Sequence, residues 1–199
     1  MRGDLTKRLF DIAASFAGIV VLSPVMAAIA VAVLIDSGPP VFFSQVRIGR
    51  GGVPFRMHKF RSMRPGPGLQ VTAGGDPRIT RVGAFLRHYK LDELPQLWDI
   101  LRGKMSLVGP RPEVPAMFAR YPAESREKVV SVRPGITDLA TLEYRHEEEI
   151  LARAEDPERT YIEEIVPRKV ALYLEYVDRR SFRLDLAIIR RTIKALYSD

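Results

Sequence analysis

The most informative pattern in this chain is a run of apolar residues near its start. Positions 12–35 contain no charged residue. As a helix with a rise of about 1.5 Å per residue, this run reaches about 36 Å, enough to cross a bilayer. Pro24 cannot donate to the carbonyl of Val20, whereas the Ser23 hydroxyl can satisfy a carbonyl one turn back. The pattern predicts a membrane helix with a sharp kink at Ser23 and Pro24.

Basic residues flank this apolar segment on both sides, and no acidic residue occurs between Ser37 and Gly75. A straight single span normally carries its excess of basic residues on one side of the membrane. We therefore expect a re-entrant helix that enters one leaflet, turns at Ser23 and Pro24, and leaves by the same face. An ordinary kinked transmembrane anchor is the alternative that charge alone leaves open. The flanking basic residues are Arg2, Lys7 and Arg8 before the segment and Arg47, Arg50, Arg56, Lys59, Arg61 and Arg64 after it.

After this helix, the apolar residues occur in short runs and no longer in one long segment. Positions 41–48 and 53–60 are rich in aromatic and β-branched residues and are separated by Gly49-Arg-Gly-Gly52, which predicts a β-hairpin. Positions 63–77 hold three prolines and four glycines, which indicates a loop that is either a lid or only a connector. Apolar residues recur at helical spacing over positions 79–89.

Helical spacing returns over positions 161–197, where basic residues are mixed with the apolar ones. Such helices bury their apolar face in a core, and the last of them is also suited to lie on the membrane plane. The patterns together predict an α+β, mainly α fold. We expect residues 1–36 to form the re-entrant membrane helix, and residues 37–199 to form a cytosolic, membrane-associated domain with a short β-hairpin and amphipathic interfacial helices.

Composition narrows the classes of partner and of chemistry. The 199 residues carry a formal net charge of +7, which favours nucleic acid, phospholipid head groups or a phosphorylated substrate as partners. The chain has no cysteine, which excludes disulfides, thiolate nucleophiles and zinc sites built on sulfur. Its three histidines, His58, His88 and His146, lack the paired spacing of metal ligands.

The densest candidate chemistry lies in the segment Leu91-Asp-Glu-Leu-Pro-Gln96. Adjacent carboxylates at the positive end of a helix stay ionised and can hold a divalent cation, so Asp92 and Glu93 are candidate catalytic and metal-binding residues. The alternative is structural. Asp92 would then cap a helix that tolerates Pro95 in its first turn and ends at Gly103 in a left-handed conformation.

Seven motifs, in this order and at this spacing, strongly resemble the bacterial sugar transferase family, the monotopic phosphoglycosyl transferases. The resemblance covers nearly the whole chain and is that of the minimal catalytic form of the family. The motifs are Lys7-Arg-Leu-Phe-Asp11, Ser23-Pro24, Val41-Phe-Phe43, Lys59-Phe-Arg-Ser-Met63, Leu91-Asp-Glu-Leu-Pro-Gln96, Met105-Ser-Leu-Val-Gly-Pro-Arg-Pro112 and Arg133-Pro-Gly-Ile-Thr137.

The resemblance implies transfer of a sugar 1-phosphate from a UDP-sugar to a polyprenol phosphate such as undecaprenyl phosphate, with release of UMP. It implies that Asp92 is the nucleophile that forms a covalent phosphosugar intermediate, that Glu93 is its catalytic partner, and that Mg²⁺ is held at this pair. It also implies a place at the bacterial inner membrane, with the catalytic domain on the cytoplasmic face, in the first membrane step of glycoconjugate synthesis.

Phosphate chemistry requires cations beside these carboxylates. A carboxylate that attacks an anionic diphosphate is repelled by it, so guanidinium groups are needed to neutralise charge during the transfer. Arg87 and Arg111 are the nearest candidates in sequence, and their forked donors suit phosphate oxygens. Arg145 falls where the family has an arginine after the Pro-Gly-Ile-Thr motif. Lys59 and Arg61 either reach the same site or contact lipid.

The chain departs from the commoner family sequence after Thr137, where it continues with Asp138 to Arg145 and the acidic run His146-Glu-Glu-Glu149. This departure leaves the sugar and nucleotide contacts open. We expect the acidic triplet to be a solvated helical face.

Two other classes of protein compete with the enzyme. A membrane-anchored nucleic-acid binder would explain the basic charge, but the sequence contains no recognisable binding module. A membrane scaffold would explain the anchor and leave the Asp92-Glu93 pair without a purpose. We therefore expect a UDP-sugar, a polyprenol phosphate and inner-membrane phospholipids as partners, and no nucleic acid. The sequence leaves a homodimer open.

Overall fold

The fold begins with one long helix, α1 (Arg2–Ser37), of 36 residues. The computed structural model describes residues 2–66 and 76–196, so most of the predicted lid or connector, residues 67–75, lies outside the described part. Within that part, α1 is the one helix long and apolar enough to cross a membrane, and only 11% of its most apolar window is buried.

Helix α1 continues through Pro24. The Ser23 hydroxyl donates a hydrogen bond of 2.8 Å to the carbonyl of Val20, the acceptor that Pro24 cannot serve. The side-chain bond expected from the sequence is therefore confirmed. The kink and the re-entrant path remain predictions.

The predicted hairpin is also confirmed. Strands β1 (Phe42–Ile48) and β2 (Pro54–Phe60) are antiparallel, with Phe42 opposite Phe60 and Ile48 opposite Pro54. A short 3₁₀ turn, Arg50–Gly52, joins them. The hairpin buries Phe60 against apolar residues of α1 and Phe55 against residues that follow it in the chain.

The rest of the described chain is mainly helical, so the α+β, mainly α prediction is confirmed. The helical stretches expected over 79–89 and 161–197 are both present, the second as far as residue 196, since residue 197 lies outside the described part. The helices are α2 (Arg81–His88), α3 (Gln96–Leu101), α4 (Pro115–Phe118), α5 (Ala123–Val129), α6 (Leu139–Glu143), α7 (Glu147–Ala152), α8 (Pro157–Thr160), α9 (Val166–Arg179) and α10 (Phe182–Leu196), with a 3₁₀ turn at Leu91–Glu93 and a π-helical turn at Tyr161–Ile165.

A second, parallel pair of strands lies at the centre of this helical part. Strands β3 (Ser106–Val108) and β4 (Gly135–Thr137) pair with Ser106 opposite Gly135 and Val108 opposite Thr137. Two backbone segments cross closely just after β3, at Gly109 and Gly135. They are so close that a Cβ atom on Gly135 would overlap the backbone N and O atoms of Gly109. This crossing aligns the segment that carries Arg111 with the one that follows β4.

The Gly135→Ala variant should be strongly destabilised, by about 3 kcal/mol or more, because its methyl group has no space and backbone cannot move aside as a side chain can. The loss of stability is measured as a lower midpoint of thermal unfolding of the purified protein in detergent. Gly66→Ala is the matched control, since its added Cβ would make only ordinary contacts with Arg78. Equal unfolding temperatures for the two variants would contradict the close crossing.

The N-terminal end of α1 is bound to the domain by two polar side chains. Arg8 donates to the carbonyls of Ile100, at 2.8 Å, and Leu101, at 3.1 Å, at the C-terminal end of α3, where carbonyls lack their usual partner within the helix. The buried carboxylate of Asp11 accepts from the Ser106 hydroxyl at 2.8 Å and from the backbone N–H of Leu107 at 3.1 Å.

The C-terminal end of α1 is bound to the same domain. Asp36 accepts a hydrogen bond of 3.0 Å from the backbone N–H of Val82, at the start of α2. Arg61 donates at 2.8 Å to the carbonyls of both Ser37 and Pro39, and also to that of Gly38. Both ends of α1 are therefore attached to the same part of the described chain.

Candidate active site

The two candidate carboxylates lie in the 3₁₀ turn between α2 and α3. Lys90, with a φ of +55°, takes a left-handed conformation that ends α2 and turns the chain. Asp92 and Glu93 follow it and are only 3% and 8% exposed. Helix α3 is preceded by Pro95 and has no side-chain cap, so the alternative in which Asp92 caps this helix is wrong. The left-handed conformation expected of Gly103 is confirmed by its φ of +76°.

Glu93 is held between two cations that come from distant parts of the chain. Lys59, on β2, donates to its Oε1 at 2.7 Å, and Arg111, after β3, donates to both carboxylate oxygens. Burial alone would raise the pKa of Glu93, but Arg111 and Lys59 outweigh it and hold the pKa well below its ordinary value. Glu93 in turn raises the pKa of Arg111. This carboxylate is therefore anionic at neutral pH and fixed in place by its hydrogen bonds.

Asp92 has a different environment from its neighbour. Lys59 Nζ lies 3.6 Å from its Oδ2, and no group in the described residues donates a hydrogen bond to its carboxylate. Burial raises the pKa of Asp92, with Lys59 acting against this and the charge of Glu93 adding to it. One carboxylate of the pair is thus occupied by cations, while the other keeps its lone pairs available for a reaction. Two acids with opposite pKa shifts are typical of a catalytic pair with separate roles.

The structure brings some of the predicted phosphate-binding residues together and leaves others apart. Lys59 and Arg111 contact the carboxylates directly. Arg87 donates to Glu148 at 2.5 Å, and its charge lowers the pKa of Asp92. Arg145 lies in the turn between α6 and α7, just before Glu148. Arg61 is not brought to the site, because its guanidinium is taken up by the carbonyls at the end of α1.

The expectation that the acidic triplet is a solvated face is wrong for two of its three members. Glu148 pairs with Arg87, and Glu147 pairs with Lys169, which is only 6% exposed. The physical reason is that α7 packs beside the site, so its carboxylates meet cations of other elements. The opposite charges of Glu148 and Arg87 were visible in the sequence, but no local spacing links residues so far apart.

Comparison with known proteins places this chain in a family. The family model described as bacterial sugar transferase matches residues 2–199. The chain is 39% identical to an undecaprenyl-phosphate glucose phosphotransferase of Komagataeibacter xylinus over 96% of its own length and 35% of the relative. It is 36% identical to a UDP-glucose:undecaprenyl-phosphate glucose-1-phosphate transferase of Caulobacter vibrioides over 97% and 70% of the two chains.

A third relative carries a different sugar in its name. The UDP-N-acetylgalactosamine-undecaprenyl-phosphate N-acetylgalactosaminephosphotransferase of Aeromonas hydrophila is 36% identical over 96% of this chain and 43% of the relative. The chain thus spans from 35% to 70% of the length of these three proteins. The match of the family model over nearly all residues, together with these identities, shows that the chain belongs to the bacterial sugar transferase family, which is membrane-associated.

Proposed function

We propose that this chain is a phosphoglycosyl transferase that moves a sugar 1-phosphate from a UDP-sugar to polyprenol phosphate, such as undecaprenyl phosphate, and releases UMP. The observation that carries the proposal is the buried Asp92, whose carboxylate has lone pairs available beside a fixed anion and several cations. The names of the relatives, which contain undecaprenyl phosphate as acceptor and UDP-sugars as donors, support the same reaction.

The reaction proceeds in two displacements at one phosphorus atom. The Asp92 carboxylate attacks the phosphorus that carries the sugar, its bond to the UMP oxygen breaks, and UMP leaves with that electron pair. The sugar phosphate is then esterified to Asp92. A phosphate oxygen of the polyprenol phosphate attacks the same phosphorus, and Asp92 is released as a carboxylate. This order lets a soluble donor and a membrane-bound acceptor use one site in turn.

The surrounding cations have a clear electrostatic role in this scheme. Each displacement brings an anion to an anionic phosphate, so the repulsion must be neutralised. Arg87 donates to Glu148 in the structure. When the donor binds, Arg87 exchanges this carboxylate for a phosphate of the donor, since a guanidinium binds either oxyanion. Glu93 holds Lys59 and Arg111 in position through its hydrogen bonds, and Lys59 Nζ lies 3.6 Å from the Asp92 carboxylate.

Mg²⁺ fits one carboxylate of the pair better than the other. Magnesium in phosphoryl transfer is usually held by one or two carboxylates together with substrate phosphates. Asp92 has oxygens available for this, whereas both oxygens of Glu93 already accept from Arg111, and the described residues hold no cluster of three or more metal-ligating side chains. Asp92 and the donor's diphosphate would therefore hold the ion, with Glu93 as a weaker contributor. When bound, Mg²⁺ supplies charge neutralisation at the diphosphate.

Helix α1 enters and leaves the membrane by the same face. The two residues that attach α1 to the domain, Asp11 and Asp36, are about 37 Å apart along a straight helix. This distance is more than the thickness of a bilayer's hydrocarbon core, which is roughly 30 Å. Asp11 and Asp36 both bind the same domain, which cannot lie on both sides of a membrane at once. A helix bent at Ser23 and Pro24 lets both ends reach the domain while the exposed middle enters the lipid.

Exposed aromatic residues support a domain that rests on this face. Phe85 and Tyr89 at the end of α2 and Trp98 on α3 are 57%, 45% and 50% exposed, and both helices pack against α1. Aromatic rings of this kind prefer the head-group region of a bilayer. On α10, Leu186 and Ile193 are exposed among basic residues, as expected of an amphipathic helix at the interface. These residues support a domain at the membrane interface, and we propose the cytoplasmic face of the inner membrane because a UDP-sugar is soluble in the cytosol.

Purified protein in nanodiscs with Mg²⁺, undecaprenyl phosphate and a panel of UDP-sugars should release UMP, which is measured directly. UDP-glucose and UDP-N-acetylgalactosamine belong in the panel because the relatives' names contain them. Omitting the acceptor should leave at most one UMP per protein molecule, since Asp92 holds one sugar phosphate. Absence of UMP above an Asp92→Asn control with every donor would favour a scaffold or another non-catalytic role.

The membrane path is tested by labelling single cysteines, because the chain contains none of its own. Leu5→Cys and Val53→Cys, which replace residues 63% and 61% exposed before and after the apolar segment of α1, should both react with an impermeant maleimide from the cytoplasmic side. Val21→Cys, within the lipid, should stay unlabelled. Labelling of Leu5→Cys and Val53→Cys from opposite sides would show a straight span.

A further inference from the structure

A second charged cleft lies away from Asp92, on the side of the domain where α1 begins. It is open to solvent. Five basic side chains line it, whereas the acidic side chains that line it are Asp4 and Asp11. The basic residues are Lys7, Arg8, Arg50, Arg133 and Arg180.

The acids of this cleft are already engaged by other groups. Asp11 accepts from the Ser106 hydroxyl and the Leu107 N–H, and Asp4 lies 3.7 Å from Arg180. Lys7 has its own carboxylate, Asp185, at 2.8 Å.

Three guanidinium groups remain without a carboxylate partner among the described residues: Arg8, Arg50 and Arg133. Two of them are fixed by hydrogen bonds to carbonyls at the end of α3. Arg8 binds the carbonyls of Ile100 and Leu101, and Arg133 Nε donates to that of Gly103 at 3.0 Å. The turn that carries Arg50 is held by a bond of 2.7 Å from Gly51 N–H to the Val130 carbonyl.

These like charges are close enough to affect one another. Burial lowers the pKa of Arg133, and the charges of Arg8 and Arg50 lower it further, with only partial opposition from Asp11 and Asp4. A cleft with preorganised, mutually repelling guanidinium groups gains stability when an anion enters it. Guanidinium forks match the oxygens of a phosphate group in particular.

The position of the cleft indicates where that phosphate comes from. Arg8 precedes the apolar part of α1, which starts at Ile12, by about 6 Å of helix. The cleft is therefore at the depth of the lipid head groups. It is also separate from the active site, because Arg8 binds the last carbonyls of α3, whereas Asp92 precedes the first residue of that helix.

We propose that Arg8, Arg50 and Arg133 form a second phosphate site, which binds the phosphate of an anionic phospholipid head group at the membrane surface. The site does not depend on the reaction proposed for Asp92. A bound head group would hold the start of α1 at a fixed depth and link the hairpin turn, α1 and the segment before β4 through one anion.

The test is native mass spectrometry of the full chain in detergent, titrated with phosphatidylglycerol or with zwitterionic phosphatidylcholine. Phosphatidylglycerol should bind more tightly than phosphatidylcholine. The Arg50→Gln variant should bind phosphatidylglycerol about tenfold more weakly than the wild type, and the double variant Arg50→Gln/Arg133→Gln should bind it more weakly still. Lys104→Gln is the matched control, since it removes an exposed cation near the cleft that does not line it. Arg50 is exposed on a turn, so its replacement should leave the fold intact, as circular dichroism would verify.

A parallel titration with inorganic phosphate, followed by thermal unfolding, separates a lipid phosphate from a free one. Binding of phosphatidylglycerol that depends on Arg50, with no stabilisation by millimolar inorganic phosphate, supports the lipid head group. Stabilisation by inorganic phosphate that Arg50→Gln removes, without lipid binding, would overturn the lipid assignment. Equal affinity for the two lipids, unchanged in Arg50→Gln and in the double variant, would overturn the site itself.

Discussion

The Asp92→Asn variant should lose at least about 10⁴-fold of its UMP release, because an amide cannot attack phosphorus and the neighbouring Glu93 carboxylate is held by Lys59 and Arg111. Steady-state assays in nanodiscs measure the loss. Mass spectrometry of the wild-type protein, quenched with donor alone, should locate one sugar phosphate on Asp92. Asp178→Asn, which changes an exposed carboxylate on α9, is the matched control and should retain full activity. An adduct on another residue would contradict the proposed mechanism.

The same substitution should raise the unfolding temperature. Burial raises the pKa of Asp92, so the folded protein prefers the neutral form and ionisation of this acid opposes folding at neutral pH. An amide of the same shape carries no charge and removes that cost. In the wild-type protein this destabilisation should fade as pH falls through the raised pKa towards the ordinary value of about 3.9. Activity should fall over the same range, because the attacking carboxylate becomes protonated. An inactive variant that unfolds earlier than wild type would contradict this account.

The Arg111→Met variant should lose about 3 kcal/mol of folding free energy, because it leaves the buried Glu93 carboxylate with Lys59 as its remaining close cation. Turnover should fall by about 10²-fold or more, since a cation beside the transferred phosphate is lost. Urea unfolding in detergent measures the loss of folding free energy, and the rate of UMP release measures the fall in turnover. Arg168→Met, which breaks an exposed pair with Glu143, should change neither measurably.

A second substitution separates the charge of Glu93 from its packing. Arg111→Met/Glu93→Gln should regain much of the lost stability while remaining poorly active, because no buried charge is left unpaired. The pH dependence has a definite sign. Glu93 has a lowered pKa when folded, so the stability it contributes is present above its unfolded value of about 4.3 and is lost as pH falls through the folded pKa. The stability difference between wild type and Arg111→Met should therefore shrink in acid. A constant difference from neutral to acidic pH would exclude the ion pair as its cause.

Local patterns in the sequence were enough for much of the fold. The apolar run gave α1, the Ser23 hydroxyl was matched to the Val20 carbonyl, and the aromatic runs around Gly51 gave the hairpin. These features depend on residues within one or two turns of each other, where spacing and backbone preference decide the structure. The roles proposed for Asp92 and Glu93 came from the family motif, because the residues alone left a helix cap open as the alternative.

Pairings between distant segments were decided only by the tertiary structure. The sequence did not indicate the parallel pairing of β3 with β4, and it suggested Arg61 as a phosphate ligand although that side chain binds the end of α1. It also suggested a solvated Glu148, which instead holds Arg87. A charged residue carries no local signal for its partner, because the partner is set by which elements pack together.

The sequence by itself therefore determined the long apolar helix, the hairpin and the reaction class that the family motifs imply. The tertiary structure decided that Glu93 is occupied by Lys59 and Arg111 while Asp92 is left available. It also decided that both ends of α1 bind one domain. The physical reason is that helices and turns arise from neighbours along the chain, whereas the charge state of a buried acid depends on groups that only folding brings within a few ångströms of it.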